Sequence, residues 1–127
     1  MSEKKLISTG SPFEEIIGFS RAVAQGPWCF VSGVTGYDYR TMEMPEDVGE
    51  QTRNCFNSIQ AALTEAGFFM SDIVRVQYTI TDATLVEQIT PVTGEVLGDI
   101  RPAATMVVAD LIKPEMKVEV EVTAFKG

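Results

Sequence analysis

Residues 47–81, DVGEQTRNCFNSIQAALTEAGFFMSDIVRVQYTIT, change period halfway, and that change decides the fold class. Through 48–66, Phe56, Ile59, Leu63 and Ala66 recur at three- and four-residue spacing, the single apolar stripe of an amphipathic helix. Asp47 stands at the N-cap with Glu50 three residues on, and Gly67 supplies the stop. Over 72–81 the period falls to two. Val74, Val76, Tyr78 and Ile80 share one face of a strand.

Outward from this pair, extended segments are expected at 5–7 (KLI), 20–25 (SRAVAQ) and 28–34 (WCFVSGV), with Gly26-Pro27 as the hairpin turn between the last two. Downstream, Thr84 and Glu87 have capping-box spacing and open a second helix, interrupted by Pro91 and Gly94. Strands are expected at 104–110 and 117–124. The order β-β-β-α-β-α-β-β reads as a single α+β domain over 1–127, with two helices on one face of a mixed sheet.

Strand 104–110 is apolar on both sides, Met106 and Val108 on one, Val107 and Ala109 on the other. Strands of that kind are buried on both faces. Two helices cover one face, so a second copy of the chain is expected over the other. In the last strand Val118, Val120 and Val122 point one way, and Lys117, Glu119, Glu121 and Thr123 the other. That polar row is either an ordinary solvated face or the lining of a cleft between subunits.

Composition narrows the functions. The chain has 127 residues, 45% of them apolar, and a formal net charge of −8, which repels nucleic-acid phosphates and anionic membrane surfaces alike. The start, MSEKK, leads into no apolar segment, and the expected compartment is the cytoplasm. There is no histidine, which excludes Ser-His-Asp and Cys-His triads and argues against a zinc or iron site. Cys29 and Cys55 read as buried, reduced thiols. Acid–base work falls to carboxylates, tyrosine, lysine or water.

Six segments in this order, IGFSRAV, FVSGVTG, QTRNCFNSIQAALTEAG, SDIVRVQYTITD, RPAATMVVADL and VEVEVTA, resemble the RidA/YjgF family, also called L-PSP, nearly end to end. The resemblance implies a chorismate-mutase-like subunit, a homotrimer, and small-molecule clefts between subunits. Family members hydrolyse reactive enamines and imines such as 2-aminoacrylate to 2-oxo acids and ammonia, without metal or organic cofactor. It implies roles residue by residue. Glu119 fits the water-handling glutamate, and Ser32 with Gly33 fits a Ser-Gly backbone corner. Phe19 stands at the pocket tyrosine position, Thr90 at a pocket asparagine and Met106 at a cysteine. Ala104 stands where the family has the arginine that forks onto the substrate carboxylate. That substitution implies altered specificity, or else a binding protein without catalysis.

Two other arginines are candidates to stand in. Arg101 differs from Ala104 by an odd number of residues, so in extended chain the two face opposite ways. Arg21 shares the parity of Phe19, and is expected either to contact substrate or to make an ion pair at the subunit interface. Tyr37, Asp38 and Tyr39 are expected at the cleft mouth, and Phe68, Phe69 and Met70 as core or interface cover. An endoribonuclease, an activity ascribed to some of the family, is disfavoured by the acidic surface and the absence of a basic, aromatic strand.

Overall fold

The structure, a computed structural model, describes residues 3–127. Met1 and Ser2, part of the charged start, lie outside the described residues. The elements in chain order are β1 (Lys5–Ile7), α1 (Pro12–Ile17), β2 (Ala22–Gln25), β3 (Trp28–Thr35), α2 (Val48–Ala66), β4 (Ile73–Ile80), α3 (Val86–Leu97), β5 (Ala103–Val108) and β6 (Val118–Phe125). The six strands form one mixed sheet in the order β1-β2-β3-β6-β4-β5, antiparallel except for the β4–β5 pair. This is an α+β architecture.

The central helix forms as its caps dictate. The Asp47 side chain accepts from the Glu50 amide at 2.9 Å. Gly67 takes a left-handed φ of 86° and returns its amide to the Leu63 and Thr64 carbonyls. Phe56, Ile59 and Leu63 are buried with Cys55 against the valines of β3, β4 and β6. Both cysteines are free and buried. The β2–β3 hairpin turns on Gly26-Pro27. Gly26 has a φ of 57°, as the first position of a type II′ turn requires. Gln51, fully buried on the first turns of α2, donates to the carbonyls of Pro45 and Glu115 and accepts from the Lys117 amide at 3.0 Å. It thereby fixes the loop before β6 to the helix.

Four expectations need correction. There are three α-helices among the described residues, since α1 was not expected. Ser11 caps α1 by accepting from the Phe13 amide, Pro12 opens it, and Gly18 closes it at φ 89°. Second, Val74 does not share the buried face of β4 but is 44% exposed. A bulge between Ile73 and Arg75 shifts the register, so Ile73 and Val76 face the core instead. Third, no capping box opens the second helix. The Asp82 side chain accepts from the Thr84 amide and caps a 3-10 turn at Ala83–Leu85, which runs into α3. Fourth, β5 is exposed on both faces in the single chain. It forms the sheet edge beside β4, and Met106, Val107 and Val108 are open. Of the 68–70 run, Phe68 is buried, Met70 packs partly against the core, and Phe69 is 75% exposed.

Candidate functional site

The site begins with a bulge. Val31 pairs with Val122 and Val34 with Val120, so three steps along β3 match two along β6. Both valines still face the core, and Ser32 and Gly33 take up the extra residue. The Ser32 amide donates to the Arg21 carbonyl at 3.0 Å. The Ser32 hydroxyl lies 3.0 Å from the Ser20 carbonyl and 2.9 Å from that of Arg21. The Ser-Gly corner is therefore stitched to the chain entering β2.

Gly33 is required here by close approach. A Cβ at this position would lie 2.5 Å from the Glu119 carboxyl carbon and 2.8 Å from each of its oxygens. Glu119, across from Thr35 on β6, rests its carboxylate on that bare Cα. The carboxylate is half-buried and makes no hydrogen bond or ion pair with any described residue. Its affinity for a proton is raised, chiefly by burial and then by Glu121 two residues along, with Arg21 opposing. A carboxylate in this state can take a proton from water and return it.

Arg21 lies beneath the corner and is 1% exposed. Its Nη1 donates to the Gly33 carbonyl at 2.7 Å and to the Ser32 hydroxyl at 3.3 Å. Its Nε lies 4.0 Å from Glu14 Oε2 and has no hydrogen-bond partner. The guanidinium carbon is 4.9 Å from the centre of the Tyr39 ring and 5.6 Å from that of Phe19. The ion pair expected for Arg21 at an interface thus forms inside the chain, with Glu14.

These groups line one hollow of about 290 Å³. Phe19, Arg21, Ser32, Gly33 and Glu119 meet there with Thr35, Tyr39, Phe13 and Ile17 of α1, and Ile112 and Met116 of the loop before β6. Five of the eight residues singled out from the sequence are brought together. Thr90, Ala104 and Met106 are not among them. Thr90 is exposed on α3, and Met106 is on the open edge strand. Ala104 lines a separate hollow of about 360 Å³ with Arg101, Pro102, Gly94 and Leu97. The two residues expected on opposite faces therefore share one cavity wall. Arg101 precedes the strand in a left-handed conformation, φ 54°, with its amide bonded to the Leu97 carbonyl, so strand alternation does not govern it. It has no ion-pair partner among the described residues.

Of the loop candidates, Tyr39 joins the hollow, its hydroxyl 3.2 Å from both the amide and the hydroxyl of Thr35. Tyr37 is buried and donates to Glu115 at 2.6 Å, and Asp38 pairs with Arg40 at the surface. Sequence reasoning missed Phe13, Glu14, Ile17, Ile112 and Met116. The first three had a readable signal, Ser11-Pro12 followed by Glu14, which marks a helix start. Among the described residues no cluster of three or more Cys, Asp or Glu is placed to hold a metal ion.

Comparison with known proteins places this geometry in a family. A family model described as Endoribonuclease L-PSP matches residues 9–126. A protein of Dermatophagoides farinae named 2-iminobutanoate/2-iminopropanoate deaminase is 32% identical over 123 residues, covering 95% of each chain. The putative reactive intermediate deaminase TdcF of Escherichia coli is 26% identical over 127 residues, 98% of each. The crystal structure of Rv2704 from Mycobacterium tuberculosis, a member of the YjgF/YER057c/UK114 family, superposes with a TM-score of 0.90 at 35% identity, covering 98% of this chain and 100% of that one. With a matching model over nearly its whole length and the fold of a solved member, the chain belongs to the endoribonuclease L-PSP family, the family of the RidA and YjgF proteins.

Proposed function

We propose that the chain is a RidA-like deaminase that hydrolyses a small imine, or an enamine through its imine tautomer, with Glu119 handling the water. The observation that carries this reading is the Glu119 carboxylate, half-buried over Gly33, raised in proton affinity and free of hydrogen bonds. In its ionised form it takes a proton from water as the oxygen adds to the C=N carbon. The carboxyl returns that proton to nitrogen, giving the neutral carbinolamine. As the C–N bond breaks, the carboxylate takes the hydroxyl proton and passes it to nitrogen, which leaves as ammonia while the oxygen becomes the carbonyl. The balance is imine plus water to carbonyl plus ammonia, and a raised carboxyl suits both halves.

The complete cleft lies between two copies in a homotrimer. One copy supplies Phe19, Ser32, Gly33 and Glu119, and its neighbour supplies Thr90, Ala104 and Met106. Two features support this: the hollow opens beside exposed Ile17 and Ile112, and β5 is an apolar strand uncovered on both faces. With alanine at 104 and Arg21 engaged by Gly33, the wall of Phe19 and Glu119 offers no free guanidinium, and the other wall carries Arg101, set before the strand rather than at 104. Specificity is therefore shifted away from small 2-imino acids anchored by a carboxylate at the 104 position. The compartment proposed is the cytoplasm, and no helix of the described residues is long and apolar enough to cross a membrane.

The test is loss of 2-aminoacrylate, generated in situ by a serine dehydratase, with and without the protein, beside imines lacking a carboxylate. Faster loss of the uncharged imines, abolished by Glu119→Gln, supports the reading. No acceleration of any imine at micromolar protein contradicts it. Ala104 favours one second reading, a trimeric protein that binds a metabolite in the same cleft without turning it over. In that case Glu119→Gln binds the ligand as wild type does.

A further inference from the structure

Arg21 stands between two carboxylates, and only one is within ion-pair range. Glu14 Oε2 lies 4.0 Å from its Nε, while no ion pair joins Arg21 to Glu119. Glu14 is itself held rigidly. It accepts from the Ser8 hydroxyl at 2.8 Å, from the Thr9 amide at 3.1 Å and from the Thr9 hydroxyl. Gly33 forms the partition. Its carbonyl receives Arg21 Nη1, and its bare Cα receives the Glu119 carboxylate.

A buried guanidinium with an unpartnered Nε will take the best carboxylate within reach. If it paired with Glu119, that carboxylate would lose both the lone pairs that hold water and the affinity for its proton. Resting on the reading of Glu119 as the water-handling group, we propose that Glu14 is a positioning residue: it holds Arg21 under Gly33 and so keeps Glu119 out of an ion pair. Ser11 and Pro12 build the short helix α1 that delivers Glu14 to this place.

The groups bearing on Glu119 are Glu121 on its own strand, Arg21 from the chain entering β2, Cys55 from α2 and Tyr39 across the hollow. None of them changes in a Glu14 variant except through the position of Arg21 and the charge at 14. Two variants separate these effects. Glu14→Gln removes the charge, whereas Glu14→Asp keeps it and shortens the reach, with less risk to folding. The measurement is the titration of the Glu119 side-chain carboxyl by carbon NMR, assigned with Glu119→Gln, in folded wild type and both variants.

The midpoint is expected to fall by about one pH unit in Glu14→Gln and by less in Glu14→Asp. The acid limb of the imine-hydrolysis profile should move the same way. A Glu14 that acts only by its charge, or only by stitching residues 8 and 9 to α1, would leave the Glu119 midpoint unmoved in Glu14→Asp, and that result overturns the proposal. The titration is read without substrate, so it stands or fails independently of any deaminase activity.

Discussion

The hollow at Glu119 and the edge strand β5 are opposite kinds of surface. In the hollow the groups around the carboxylate are held from within the chain. The β3 bulge turns Gly33 under the carboxylate, Arg21 ties that corner from below, and α1 holds Arg21. On β5 the chain holds little: the Thr105 hydroxyl accepts from Arg75 at 3.4 Å, on the exposed surface. All six residues are exposed, and Ala104 and Met106 belong to no built cluster. That division fits the cleft proposed between copies, with chemistry on one wall and selectivity on the other.

The largest expected effect lies on the finished side. Glu119→Gln should slow imine hydrolysis at least about 100-fold, read as initial rate of enamine loss, because it removes the carboxylate that carries the proton over the bulge. Next come two glycines of the same strand and turn. A Cβ on Gly36 would lie 2.6 Å from the Gln51 Cα, in the backbone of α2, so Gly36→Ala should cost about 3 kcal/mol in chemical denaturation. A Cβ on Gly33 meets only the movable end of Glu119. Gly33→Ala should therefore cost less than about 1 kcal/mol in stability and yet lower activity about tenfold or more, because the carboxylate is displaced. Equal stability losses would break the distinction between the two positions.

On the bare side, Ala104→Arg should leave the denaturation midpoint unchanged and raise kcat/KM on 2-imino acids about tenfold, since it restores a charge-assisted contact to the substrate carboxylate. The smallest effect is a pH dependence that separates the two carboxylates flanking Arg21. Burial works to raise Glu14, but the hydrogen bonds from Thr9 and Ser8, with the charge of Arg21, bring it below its ordinary 4.5. Its stabilisation is present above 4.5 and is lost as pH falls through its lowered value. Glu119 is raised, so the folded chain holds that proton more tightly than the unfolded one, and stability falls as pH rises from 4.5 through the raised value. At pH 7 Glu14→Gln should be less stable than wild type and Glu119→Gln more stable, with the Glu119 gap closing first and the Glu14 gap closing below pH 4.5, as read by denaturant midpoints across pH 2–8.

Much of the fold could be read locally. Asp47 and Gly67 bound α2 where the sequence places them, and the Gly26-Pro27 turn fixes the β2–β3 register. What escaped was non-local or short. The bulge at Val74 depends on pairing with β6, which no periodicity within residues 72–81 reveals. Helix α1 has six residues, too few for a period, although its cap was legible. Arg21 was read by parity alone. Its partner Glu14 lies on a helix that the parity argument did not include. Arg101 escaped the same rule because a left-handed residue before a strand carries no alternation. The resemblance to the family located the glutamate and the glycine corner, while the physical reason for Gly33, a carboxylate resting on its Cα, needed the fold.

The division between the two walls is tested most directly by mixing two crippled proteins. Glu119→Gln disables the chemical wall, and Ala104→Trp fills the opposite one. Each alone should be inactive. If copies exchange at random in a trimer and each cleft joins one wall from each of two copies, an equal mixture refolded together should recover about a quarter of the wild-type rate. Recovery near that value is the predicted result. Hybrid trimers seen by native mass spectrometry with no recovered activity would show that the two walls do not form one site.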